Sequence, residues 1–336
     1  MSGSSGKTTW DELHGQERAL AMLRHALSAD RVAHAYLFAG PTGVGKARAA
    51  LVLAQALNCL EPGGPCGLCA ACDRIARDLH PDVLRVEPTG AARQITKESI
   101  DVVRQRLTLP PHEGRARVII IDEAERLNPT SANQILKTLE EPPPRTVFVL
   151  VSAAPEQLLP TIRSRCQRVR FAPLPASVVA RVLRERHAVA AARSEELAAL
   201  AGGSLGRALA SLDEEAMAAR RAVARRLRAA ARGTGAAEVL DAAAELKQEH
   251  EKETLADALD LLTLYWRDGA LLASGAEVTR LVHAVDDDEG LAVDAARGGA
   301  RCVAAARATA EAASALRAFA AVDLTLEQLV FQLRAA

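Results

Sequence analysis

Between an apolar run at residues 34–39 and an alanine-rich stretch with helical spacing lies Gly-Pro-Thr-Gly-Val-Gly-Lys-Ala, residues 40–47. A glycine-rich turn that joins a buried strand to a helix presents successive backbone N–H groups, and the positive helix end, to phosphate oxygens. Such a turn belongs to a parallel α/β sheet, so these eight residues limit the fold more than any other feature. Gly40, Pro41, Thr42, Gly43, Val44 and Gly45 would form the cradle, and Lys46 would reach the β and γ phosphates. The pattern G-x-x-x-x-G-K-[ST] breaks at Ala47, which has a methyl group where a hydroxyl should ligate Mg²⁺. ATP or ADP remains a candidate ligand, whereas Mg²⁺ is a doubtful one, and hydrolysis at this loop is expected to be very slow or absent.

The first 175 residues fit the same sheet. Apolar runs at 34–40, 81–88, 117–122, 146–152 and 167–173 read as strands, with helical stretches between them. One of these helices should begin at Asn128-Pro129 and stop at Pro142-Pro143-Pro144. Beyond Pro175 strand signals cease, and Ala/Leu/Arg helices follow, broken at Gly202-Gly203, at Gly233-Thr234-Gly235 and in an acidic turn around Asp286 to Gly290. The expected fold class is α/β: a phosphate-loop domain with a parallel sheet over 1–175, a small helical lid over 176–211 and an all-α domain over 212–336.

Several side chains carry candidate chemistry. Asp122 and Glu123 end the apolar run Val-Ile-Ile-Ile, where Asp122 would orient Mg²⁺ or its water and Glu123 would polarise an attacking water; capping of a buried strand is the plainer alternative. Arg163, Arg165, Arg168 and Arg170 form either a solvated edge or a source of positive charge for a phosphate held by a neighbouring subunit. Cys59, Cys66, Cys69 and Cys72 follow C-x₆-C-x₂-C-x₂-C, a spacing that can close a tetrahedron around one structural Zn²⁺ in a small module at 59–72. A ferredoxin-type cluster fits less well, because Ala76 stands at the place of its fourth cysteine. Cys166 and Cys302 read as ordinary buried thiols. Arg221, Arg225, Arg228 and Arg232 recur at helical spacing and are expected on a solvated face, with an acidic neighbour or a DNA backbone as the alternative. The closing stretch Leu-Thr-Leu-Glu-Gln-Leu-Val-Phe-Gln-Leu-Arg-Ala-Ala should pack internally or against another subunit.

Composition excludes little but directs the reading. Lys plus Arg (42) equals Asp plus Glu (42), so no global positive field draws the chain to nucleic acid or to an anionic membrane. The opening Met-Ser-Gly-Ser-Ser-Gly has no apolar export core, no stretch approaches the ~20 apolar residues that cross a bilayer, and a cytoplasmic location is expected.

Taken together, HAYLFAGPTGVGK, IIIDEAERLNPTSANQILKTLEEPP and LLPTIRSRC resemble the clamp-loader subunits of bacterial DNA polymerase III, members of the AAA+ ATPases, over most of residues 10–210. The resemblance implies that Arg165, within Ser164-Arg165-Cys166, acts in trans as a finger on the ATP of an adjacent subunit. It places the second sensor at Arg207 and the first at Ser152-Ala153, where the family usually has a threonine pair. It makes the cysteine insertion structural and the last domain a collar in a hetero-pentamer with gamma/tau and delta subunits. Through that assembly the partners are the sliding clamp and primer–template DNA. Ala47 and Ser152-Ala153 favour a member that lends its finger while its own nucleotide site is degenerate. The alternatives are the ATP-hydrolysing motor member and a self-sufficient AAA+ DNA-processing ATPase. Polymerase activity would belong to the holoenzyme, since no polymerase site is legible in this chain.

Overall fold

The computed structural model describes residues 9–90, 93–232, 236–277, 281, 282, 285, 288–317 and 320–335. The opening Ser-Gly run, the break at Gly233-Thr234-Gly235 and Asp286 of the acidic turn lie outside the described residues. The chain divides into two compact units, Met1–Val182 with Gly202–Arg207, and Leu183–Ala201 with Ala208–Ala336.

The first unit is built on a parallel sheet of β1 (Ala35–Ala39), β2 (Val83–Val86), β3 (Arg117–Ile121), β4 (Thr146–Ser152) and β5 (Gln167–Arg170), in the order β2-β3-β4-β1-β5. Each expected apolar run is therefore a strand. Helix α1 (Glu17–Ser28) precedes the sheet, and α2 (Lys46–Asn58), α3 (Ala70–Ala76), α4 (Lys97–Leu107), α5 (Pro129–Glu140) and α6 (Pro160–Arg163) lie between strands; α7 (Ala176–His187) follows β5. Strands β1, β3 and β4 are buried at every position, as expected of parallel strands covered on both faces. Alternate residues serve opposite faces. Tyr36, Phe38, Val118, Ile120 and Val149 pack with Leu23 of α1 and Leu53 of α2, while Leu37, Ile119, Ile121 and Phe148 pack with Ile100 of α4 and Ile135 of α5. Full burial of each such side chain contributes about 1.5–3 kcal/mol. At the start of α5 the Asn128 side chain accepts the Ser131 N–H at 2.8 Å with Pro129 in the first turn, and the helix stops short of the proline run.

The second unit is helical among its described residues. Its helices are α8 (Ala191–Leu200), the second half of α9 (Leu205–Ala210), α10 (Glu214–Arg232), α11 (Ala236–Glu249), α12 (Lys252–Ala273), α13 (Asp288–Ala296), α14 (Gly299–Arg317) and α15 (Val322–Ala335). Small side chains let α12 and α14 approach closely: a Cβ on Gly269 would come within 3.0 Å of Cys302 Sγ, and α14 buries Ala305, Ala312 and Ala313 along the same seam. Helix α15 buries Leu326, Leu329, Val330 and Leu333, so the closing stretch packs inside its own unit.

Two expectations need correction. The arginine stripe on α10 is not a solvated face. Arg228 is buried, hydrogen-bonds the Tyr265 hydroxyl and lies 3.6 Å from Asp294; Arg221 lies 3.6 Å from Glu196, and of the two exposed members Arg232 still pairs with Asp294 at 2.6 Å while Arg225 faces solvent. A face that repeats at helical spacing meets whatever packs along it, and here acids on the neighbouring helices receive the guanidiniums. Gly290, read as part of a turn, lies inside α13, where any Cβ would overlap the Arg228 guanidinium. The glycine makes room for the buried cation.

Candidate functional site: the phosphate loop and its acids

β1 lies between β4 and β5, so the loop at 40–45 leaves the sheet at the carboxyl ends of its central strands. Gly43 (φ 75°) and Gly45 (φ 100°) occupy left-handed conformations that other side chains rarely adopt. A Cβ on Gly43 would also come within 2.2 Å of Ser204 Oγ, and the Gly206 N–H donates to Gly43 O at 2.9 Å. The start of α9, with Ser204 before it, thus lies directly against the loop. Lys46 is buried and its ammonium donates to Gly40 O and Pro41 O, each at 2.6 Å. Burial lowers it to about 8, although the charges of Glu125 and Asp122 act in the opposite direction. Ala47 follows at the second position of α2, with no hydroxyl to offer a metal.

The acidic end of β3 folds differently from a simple pair. Asp122 bonds to Arg85 at 3.0 Å and accepts the Glu123 N–H at 3.0 Å. Glu123 has a left-handed backbone (φ 45°), and its carboxylate pairs with Arg93 at 2.6 Å and with Arg126 at 2.9 Å. Glu125, which sequence reasoning passed over, accepts the Ala153 N–H at 3.0 Å; its other carboxylate oxygen is buried without a hydrogen-bond partner. Ser152, at the end of β4 opposite Ala39, is fully buried; its carbonyl accepts the Gly40 N–H at 3.2 Å and its hydroxyl has no partner. The structure therefore gathers the loop, Asp122, Glu125, Ser152 and the start of α9, and it points Glu123 toward arginines. No local sequence signal marks Glu125, because its placement follows from the left-handed turn at a non-glycine residue.

Arg207 lies in the first turn of α9 with its N–H on Ser204 Oγ at 3.2 Å. Arg165 has other partners: its guanidinium pairs with Glu140 at 2.6 Å, donates to Thr161 O at 3.1 Å and is 35% exposed. Arg163, Arg168 and Arg170 are exposed, and burial pushes the Cys166 thiol up to about 12.

The sulfurs of Cys59, Cys66, Cys69 and Cys72 all lie within 4.8 Å of one another, with Cys59 and Cys69 at 4.0 Å. Tetrahedral Zn²⁺ with bonds near 2.3 Å sets its sulfurs about 3.8 Å apart, so the four thiols can hold such an ion with little movement. Backbone N–H groups of Cys66 and Cys69 already point at the sulfurs of Cys59 and Cys66, at 3.4 and 3.3 Å. Burial alone would raise the Cys69 thiol, but hydrogen bonds at Leu60 and Cys72 hold it down at about 6, while burial raises Cys59 and Cys72. A Cβ on Gly64 would overlap the Cys59 side chain, so the chain crosses close over this ligand set.

Residues 15–175 match the family model described as DNA polymerase III, delta subunit. DNA polymerase III subunit delta' of Bacillus subtilis is 40% identical over 168 residues, 49% of this chain and 50% of that protein. The delta' subunit of Pseudomonas aeruginosa is 40% identical over 179 residues, 51% of this chain and 53% of that one. A gamma/tau subunit from Mycobacterium tuberculosis is also 40% identical, over 49% of this chain and 28% of its own length. The chain spans about half the length of the delta' relatives it matches. Over residues 15–175 the chain is therefore similar to DNA polymerase III subunits of both the delta' and the gamma/tau kind.

Proposed function

We propose that this chain is a delta-prime-type subunit of a DNA polymerase III clamp loader, a cytoplasmic assembly with gamma/tau and delta subunits that opens the sliding clamp and places it on primed DNA. The observation that carries the reading is the contrast between its two phosphate-directed cations. Lys46 is buried in a loop whose next residue, Ala47, offers no Mg²⁺ ligand, whereas Arg165 stands half-exposed on a surface carboxylate from which it can be handed to a neighbour's phosphate. In this reading Arg165 acts in trans, Asp122 and Glu123 keep the strand end rather than drive turnover, and Arg207 reports from the start of α9 against the loop. The nucleotide, ATP or ADP, is held by 40–46 as a structural ligand, and one Zn²⁺ on Cys59, Cys66, Cys69 and Cys72 holds the module at 59–72. The lid spans 176–211 and the collar 212–336.

Native mass spectrometry of the chain mixed with the gamma/tau and delta subunits of its own source should give a hetero-pentamer. Recovery only as a monomer or a homohexamer overturns the reading. Robust ATP turnover by the purified chain, abolished by Lys46→Ala, would assign it instead to the motor members, whose gamma/tau representatives match its first half equally well.

A further inference from the structure

Three acids lie at the end of β3, and their surroundings differ. Asp122 carries Arg85, and Glu123 carries Arg93 and Arg126. Glu125 is held by a backbone N–H alone, that of Ala153 at 3.0 Å, and its second oxygen is buried and unpartnered. That N–H belongs to the residue after Ser152, whose carbonyl receives the Gly40 N–H at the first residue of the phosphate loop. The carboxylate is therefore fixed one residue from the strand that supports the loop.

We propose that Glu125 makes the loop select a nucleoside diphosphate over the corresponding triphosphate, an inference that rests on the reading of residues 40–46 as a nucleotide site. A carboxylate accepts hydrogen bonds and cannot donate one to phosphate, so its free oxygen can be satisfied only by a donor. The donor that the loop brings to this side is Lys46, whose ammonium donates to Gly40 O, while the Gly40 N–H is held by the carbonyl of Ser152, the residue before Ala153. Lys46 is also the side chain that a terminal phosphate needs. A triphosphate must compete with Glu125 for this lysine and brings further negative charge toward an acid that no arginine neutralises. Mg²⁺ would ordinarily offset that charge, but the position that should ligate it is Ala47. A diphosphate engages the lysine through its β phosphate as well, but it brings no γ charge toward Glu125. The buried Ser152 hydroxyl beside the loop can donate to a phosphate oxygen and has no competing partner.

The test is isothermal titration calorimetry of the full chain with ADP and with ATP, each with and without Mg²⁺. The wild type should prefer ADP on the order of ten-fold, the size expected for one added like charge at a partly buried site. Glu125→Gln keeps the acceptor for the Ala153 N–H and should bring the two affinities to within about three-fold by removing only the charge. Glu125→Asp keeps the charge and should keep the preference. An unchanged ratio in Glu125→Gln, or a wild type that prefers ATP, overturns the inference while leaving the nucleotide reading in place. Absence of binding by either nucleotide to the wild type and to Glu125→Gln overturns both.

Discussion

Lys46 has a measurable pH signature. Its folded value of about 8 lies below the ordinary lysine value of 10.5, so the unfolded chain binds the extra proton between these limits. The penalty for burying the charge is fully present below pH 8 and is relieved as pH rises from 8 to about 10.4, which makes this group stabilise the fold with increasing pH over that window. Urea unfolding of wild type and Lys46→Gln should therefore diverge across that window, by roughly 3 kcal/mol at most. Parallel pH profiles would mean that the ammonium is not buried as described. Arg165 presents the opposite case, a half-exposed guanidinium. In a reconstituted assembly Arg165→Ala should lower clamp- and DNA-stimulated ATPase partially while leaving assembly intact, because a trans-acting arginine is worth roughly 10³ to 10⁵ at its own site and the other sites keep theirs. Arg165→Lys should be nearly as harmful, since an ammonium cannot fork onto phosphate oxygens; unmutated rates in both variants would make Arg165 a surface residue. Lys46 was legible from residue type and spacing, whereas Arg165 is singled out from its three neighbouring arginines only by the resemblance of Ser164-Arg165-Cys166. Glu125 was not legible, because only the left-handed backbone of Glu123 separates two adjacent-looking acids into one facing arginines and one facing the loop.

The cysteine module is the element with the strongest claim to autonomy. Four thiols within 4.8 Å of one another should bind about one Zn²⁺ per chain, and chelation by EDTA should release it with unfolding of residues 59–72 and exposure of four titratable thiols. Metal-free protein that keeps the same thermal transition and the same protected thiols would refute a structural metal. Gly64→Ala should weaken retention of the ion, since its methyl meets Cys59 at 2.4 Å from Cβ and 2.5 Å from Sγ. Elements of this kind are written plainly in the chain. Strands β1, β3 and β4 were equally plain, because a parallel strand covered on both faces needs an unbroken apolar run; the edge strands β2 and β5 carry a weaker signal, since only part of each is buried. Helix α10 was not plain: a repeat of arginines gives the spacing of a face but not its surroundings, and Glu196 and Asp294 come from distant chain.

At the scale of the whole molecule, both units bury ions. The sheet unit holds Asp82 against Arg117 at 3.4 Å beside its apolar layers, and the helical unit buries Arg228, Tyr265 and Asp294, with Arg232 reaching Asp294 from an exposed position. Removing one member of a buried ionic set strands the others, so Asp294→Asn should cost about 3–5 kcal/mol. Calorimetry of the full chain should register that loss in the unfolding of the helical unit and leave unchanged the transition that responds to zinc removal. A single transition shifted as a whole would mean that the units melt together. The sheet itself ends at β5, whose Gln167, Arg168 and Arg170 are exposed while Val169 alone turns inward. An open strand edge is a template on which further chains can add, and cations along it repel a second copy that brings the same edge. Chains made faster than they are used can therefore accumulate at high concentration without growing into fibrils, and replacing Arg168 and Arg170 with threonine should turn that tolerance into visible turbidity.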